Sequence, residues 1–188
     1  MIDPLEDWAD RLLQMKPVGS AQAGAQNLAD FYGDMADKVS AEGSNRLFTF
    51  NRTVFVSTLL AQGFAPTGGT DWVQRVGTAY LAGVASATIL PGQKNDGRWS
   101  ASGSDVVTPN SGAAVIITAI TAKEKLEEGL LASSVGFTDI GKSSQADDFF
   151  VKFAQAWRDA TLEFKFKLIG LIISGPTTAP LPLVFEAQ

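Results

Sequence analysis

The sequence predicts a mainly α-helical fold: a helical bundle with a duplicated helix–loop–helix unit and an extended C-terminal arm. Three observations predict it. Apolar residues recur at i, i+3, i+4 and i+7 through most of the chain. Pro17, Gly19, Gly43 and Pro91 stop those stretches where a helix would have to end. Two of the stretches also repeat each other. Residues 1–175 read as a single helical domain, with repeat units at about 47–90 and 111–172, and residues 176–188 as the arm.

The first helix is expected over 3–16. Asp3 can cap it, Pro4 suits its first turn, and Glu6 stands three residues after the cap. Leu5, Trp8, Leu12 and Met15 fall on one face. Ser20 can cap a second helix over 20–41. Its alanine-rich first half permits close approach, and Leu28, Phe31, Met35 and Val39 stripe its second half. Residues 47–56 carry short-range β character in Phe48, Phe50 and Val54–Val56, but Phe48, Phe55 and Leu59 also share a helical face. Helix is the better fit for the second half of 47–62. A helix over 71–89 presents Trp72, Val76, Ala79, Tyr80 and Val84.

Residues 91–110, PGQKNDGRWSASGSDVVTPN, read as a long polar loop. Trp99 within it fits either a buried anchor or an exposed partner contact. Helix returns over 111–132 with Val115, Ile116, Ile120, Leu126 and Leu130, and again over 145–160 with Phe149, Phe153, Ala156, Trp157 and Ala160. Residues 162–172 are open between two readings. LEFKFKL alternates as a strand would, with Glu163, Lys165 and Lys167 on the wet face, yet the helical stripe also continues through Phe164 and Leu168. Prolines 176, 180 and 182 hold the tail extended.

Composition narrows the chemistry. The 188 residues suffice for one domain with a real core. Net charge is −5 and lysine and arginine do not cluster, so no footprint for specific nucleic acid or anionic lipid is present. Cysteine and histidine are both absent. That removes disulfides, thiol nucleophiles, imidazole or thiolate zinc sites and Ser-His-Asp triads. No cofactor or metal site is expected. MIDPLEDWAD does not read as a leader, and no apolar run is long enough to span a bilayer, so a cytoplasmic product without membrane contact is expected.

One motif argues for an enzyme. GFTDIGKS (136–143) fits the phosphate-binding loop G-x-x-x-x-G-K-[ST]. The internal repeat argues against it. LLAQGFAPTGGTDWVQRVGTAY (59–80) aligns with LLASSVGFTDIGKSSQADDFFVKFAQAW (130–157). Gly63-Phe64 matches Gly136-Phe137, Gly68 matches Gly141, and Thr70 matches Ser143. After a four-residue insertion, Trp72, Val73, Val76, Ala79 and Tyr80 match Phe149, Phe150, Phe153, Ala156 and Trp157. Gly69 stands where Lys142 would be, so the shared glycines serve a tight turn and not a phosphate. Nucleotide-binding loops follow a strand, whereas KEKLEEGLLASS reads as a helix end.

Beyond the last folded element, Leu181, Leu183, Val184 and Phe185 make the arm apolar. A pre-ordered apolar arm is expected to lie on a neighbouring subunit. With Trp99, these four residues are the candidate interaction residues. The arm (Gly175–Gln188), the loop (Pro91–Asn110) and the overall size resemble the minor virion proteins of tailed bacteriophages, the head–tail connector and neck type. The resemblance implies a structural protein of the virion neck or tail. It would form a homo-oligomer and contact copies of itself and neighbouring structural proteins. Two other readings stand beside it. One is a cytoplasmic adaptor that grips a partner through Trp99. The other is a Mg²⁺-dependent enzyme, which would need Asp96, Asp105, Asp139 and Asp147 around one cleft.

Overall fold

A computed structural model describes residues 2–15, 18–39, 48–63, 71–89, 99–101, 105–109, 115–134, 143–174 and 177–187. The chain is mainly helical. Helices α1 (Leu5–Leu13) and α2 (Ala21–Ala36) come first. A short strand β1 (Phe48–Thr49) leads into α3 (Arg52–Ala61) and α4 (Asp71–Ala85), followed by β2 (Thr88–Ile89). Strands β3 (Trp99–Ala101), β4 (Asp105–Pro109) and β5 (Val115–Ile116) precede α5 (Ala119–Ser134) and α6 (Ser143–Leu162). The chain ends in β6 (Lys165–Ser174) and β7 (Thr177–Glu186).

Helix starts follow local chemistry, with one exception. Ser20 accepts a hydrogen bond from the Ala23 N–H, and Asn51 does the same for Val54. Asp3 does not cap α1. Pro4 occupies the cap position, and the Asp3 carboxylate pairs with Lys38 instead. Gly63, at φ 69°, ends α3 in the left-handed conformation that glycine adopts without penalty.

The core is aromatic and joins five helices. The Trp157 ring lies 5.1 Å from Tyr32, 5.9 Å from Tyr80, 6.0 Å from Phe31 and 6.3 Å from Phe55. Trp8 of α1 meets Phe31 at 6.2 Å. Most of these pairs are edge-to-face, the arrangement that ring quadrupoles favour. Helix α5 adds buried Leu126 and Leu130. Phe164 and Phe166 carry the sheet onto this body, with Phe48 packed 5.3 Å from Phe164.

The two helical hairpins α3–α4 and α5–α6 occupy the aligned segments, and most of their matched positions are buried alike, although Val73 is buried and Phe150 only half-buried. Val76 and Phe153, Ala79 and Ala156, and Tyr80 and Trp157 are all buried. Trp72 and Phe149 are both half-buried. The GFTDIGKS loop lies outside the described residues except for Ser143, which opens α6. Its flanks are α5 and α6, so a helix precedes it where a nucleotide-binding loop needs a strand.

The β structure departs from the sequence reading. Residues 162–172, open between strand and helix, divide: α6 ends at Leu162 and the strand reading holds from Lys165, where β6 begins and runs to Ser174. The 91–110 stretch is not all loop, because β3 and β4 pair as an antiparallel hairpin within it. Residues 115–116 do not begin a helix; β5 pairs with Phe166 and Lys167 of β6. The arm is extended, but it does not leave its own subunit. It is β7, paired antiparallel with β6 from Lys165↔Glu186 to Ser174↔Thr177. A boundary at 175/176 therefore falls between two strands of one sheet. The helical reading of 115–116 failed because β5 pairs with residues far away in sequence, of which helical periodicity carries no record; β3–β4 and β6–β7 are local hairpins that the loop and arm readings missed.

Strand β6 is the centre of the five-stranded sheet. Strands β4 and β5 share one of its edges and β7 covers the other. The β7 backbone shows why two prolines fit. Ala187 N–H donates to the Phe164 carbonyl, so odd-numbered residues of the last strand turn their backbone toward β6. Pro180 and Pro182 are even-numbered and face the free edge, where no N–H is needed.

Candidate interaction surface

The exposed face of the sheet is built from three segments distant in sequence. Register sets Val115, Lys167 and Val184 in one row across β5, β6 and β7. Ile117 donates its N–H to the Lys165 carbonyl, and Lys165 pairs with Glu186, which makes a second row. Phe164 and Phe166 take the alternate positions and are buried, so the two rows face outward. Val115 is 55% exposed, Ile117 49% and Val184 53%. Three half-exposed β-branched side chains therefore flank two lysines. Lys165 spends part of its charge on Glu186, 3.5 Å away. Lys167 has no ion pair among the described residues.

This surface overlaps the expected interaction residues in part. Val184 is on it. Leu181, Leu183 and Phe185 stand in β7, opposite Gly170, Leu168 and Phe166, and their strand is committed to its own sheet. Trp99 opens β3 opposite Val107; its side chain lies outside what the structure describes. Val115 and Ile117 were hidden by the helical reading of 111–132. The β-branched run Val115-Ile116-Ile117 was the available signal.

Several other polar groups are satisfied internally, whereas the buried indole N–H groups of Trp8 and Trp157 have no hydrogen-bond partner among the described residues. Arg52 spans α2 and α3, binding Asp34 at 2.9 Å and Asp37 at 2.8 Å, and Arg11 binds Asp34 at 2.6 Å. Burial alone would raise the Asp34 carboxyl, but hydrogen bonds from Arg11 and Arg52 outweigh it and hold the group below its ordinary range. In the core, Tyr32 Oη lies 3.2 Å from Thr161 Oγ1 and 3.4 Å from Tyr80 Oη, while Thr161 donates to the Trp157 carbonyl at 2.9 Å. Burial pushes both phenols well up. All three side chains, Tyr32, Tyr80 and Thr161, are fully buried.

A hollow of about 420 Å³ between α5 and α6 is lined by Lys125, Glu128, Lys152 and Asp159. Lys125 pairs there with Glu128 at 3.5 Å and Lys152 with Asp148 at 2.6 Å, so both lysines have partners. Of the carboxylates that an enzyme reading needs, Asp96 and Asp139 lie outside the described residues, Asp105 opens β4, and Asp147 sits in α6. No described helix is long and apolar enough to cross a membrane, and no described group of acidic residues is arranged to hold a metal ion. Comparison with family models, with curated proteins and with solved structures finds no match.

Proposed function

We propose that this chain is a non-enzymatic structural protein that forms a homo-oligomer, of the kind found at the neck or tail of tailed-phage virions. The observation that carries this reading is the outer sheet face. Val115, Ile117 and Val184 are each about half exposed around Lys165 and Lys167. Clustered apolar residues on an ordered sheet cost solubility unless another surface covers them. The face is also rigid, being held by strand pairing on both edges of β6, so docking loses little conformational entropy. The virion assignment rests on the resemblance in size and build.

A second reading is supported by Trp99 at the start of an outer strand, where an adaptor could present it to a different protein. Light scattering over a concentration series separates the two. The structural reading expects a closed oligomer or filaments. A monomer at every concentration would turn the assignment toward the adaptor.

A further inference from the structure

We propose that the outer sheet face of one copy docks in the groove between α1 and α6 of the next copy, with Lys167 set against Glu6 and Asp10. The proposal rests on the homo-oligomer reading and names the two surfaces that would make the contact.

The groove has a volume of about 350 Å³. Leu5, Ala9 and Phe150 line it together with Leu13 and Val151, which are 55% and 40% exposed. Residues 5, 9 and 13 follow one another at successive turns of α1 and form a stripe beside the buried one of Trp8 and Leu12. The chain's own core uses Trp8, Ala9 and Leu12, with Leu5 packed at its border, and leaves Leu13 in water. Glu6 and Asp10, also one turn apart, complete the lining. Both are exposed, and neither has an ion pair among the described residues. Glu6 favours the helix N-terminus by its charge; Asp10 lies beyond the first turn, where that effect fades. The nearest basic residue on α1, Arg11, is spent on Asp34.

Charge selects the arrangement. A two-fold contact of the sheet face with itself would bring Lys167 toward its own copy, since Glu186, the acidic residue on that face, is already paired with Lys165. A two-fold contact of the groove with itself would bring Glu6 and Asp10 together. Both oppose like charges. Sheet face on groove opposes unlike charges and covers apolar surface on both sides. Pairing of β7 edges is disfavoured because Pro180 and Pro182 face outward there. A contact between two different surfaces repeats head to tail, so the product is a ring if the rotation closes and a filament if it does not.

The test compares the parent chain, Lys167→Glu, and the double variant Glu6→Lys with Asp10→Lys. All three positions are exposed, and circular dichroism melts check that each variant folds. Native mass is measured by light scattering for each protein alone and for an equal mixture of the two variants. Each variant alone is expected to need about tenfold or more protein to assemble. The mixture is expected to recover assembly, with the two variants in alternating order, because only the contacts between unlike variants again oppose unlike charges. Leu13→Ser, which changes no charge, probes the groove independently and should also weaken assembly. An oligomeric parent with unchanged variants would overturn this contact and leave the homo-oligomer reading standing. Weakened variants that fail to rescue each other would also overturn it. A parent that stays monomeric would remove the homo-oligomer reading, and this contact with it.

Discussion

Two glycines show how a single residue's neighbours decide the sign of a substitution. A Cβ at Gly129 would sit 2.6 Å from the Ala156 Cβ and 3.0 Å from its Cα, on the facing helix α6. Neither atom can swing aside, so Gly129→Ala must push α5 and α6 apart. Overpacking of this kind costs about 1–3 kcal/mol, which outweighs the gain of about 1 kcal/mol in helix propensity. At Gly33 the obstacle is the Arg52 guanidinium, the far end of a flexible and partly exposed side chain. Its pairs with Asp30, Asp34 and Asp37 are worth roughly 0–1 kcal/mol each and a small shift loosens them only in part, so Gly33→Ala should stay within about 1 kcal/mol of the parent once the helix gains about 1 kcal/mol. Urea unfolding of both variants checks the contrast. Equal losses would mean that the Arg52 network is far stronger than exposed pairs usually are.

The chain has two tyrosines, Tyr32 and Tyr80, and both are fully buried. Burial first, offset in part for Tyr32 by its hydrogen bonds to Thr161 and Tyr80, raises their phenols above the unfolded value. The unfolded chain therefore releases these protons first. The stability they contribute is complete below about pH 10 and is lost as pH rises beyond it. Phenolate absorbance should appear only with unfolding, as one step in an alkaline titration followed jointly by circular dichroism. Phenolate absorbance in a still-folded chain would contradict the burial. Asp34 works in the opposite sense. Its lowered carboxyl stabilises the fold above the ordinary aspartate range and loses that contribution as pH falls through its folded value.

At the scale of elements, the last strand is protected by what it lacks. Strand β7 gives β6 a full partner over ten residues, and its own outer edge carries Pro180 and Pro182. Restoring N–H groups there, as in Pro180→Val with Pro182→Val, should leave the melting temperature within a few degrees and promote strand-to-strand aggregation. Turbidity against time, parent beside variant, measures this. A variant that stays clear would mean the edge is covered by something else. Deleting residues 176–188 has a harsher expected outcome: the apolar run Leu168–Ile173 of β6 would lose its partner, and the truncated chain should become insoluble. A soluble truncated chain with unchanged melting would show that β7 contributes little to this sheet.

Over the whole molecule, stability is unevenly distributed. The aromatic core ties α1, α2, α3, α4 and α6 together around Trp157. Strands β3 and β4, by contrast, take their main contacts from other strands. Native-state hydrogen exchange should therefore be slowest in α4 and α6 and fastest, among ordered amides, in β3 and β4. Comparable protection in all four elements would indicate that the sheet is buried in an assembly. Repeating the measurement at a dilution where the mass is monomeric separates that case.

The helices were legible because their information is local. Ser20 before an alanine run, Pro4 at a helix start, and the stripe of Val76, Ala79, Tyr80 and Val84 each specify geometry within a few residues. The repeat in residues 59–80 and 130–157 was local in the same sense, and it argued against reading GFTDIGKS as a nucleotide site. The alternation of Lys165 and Lys167 with Phe164 and Phe166 already placed the lysines in water. The sequence by itself thus determined a mainly helical body, its core aromatics and the wet side of its longest alternating segment. Tertiary structure alone decided that the proline-rich tail returns to its own sheet, that 115–116 is a strand, and that Val115, Lys167 and Val184 share one row. The physical reason is range. A helix bonds i to i−4, whereas the partner of residue 167 can stand 52 positions earlier at 115 or 17 later at 184.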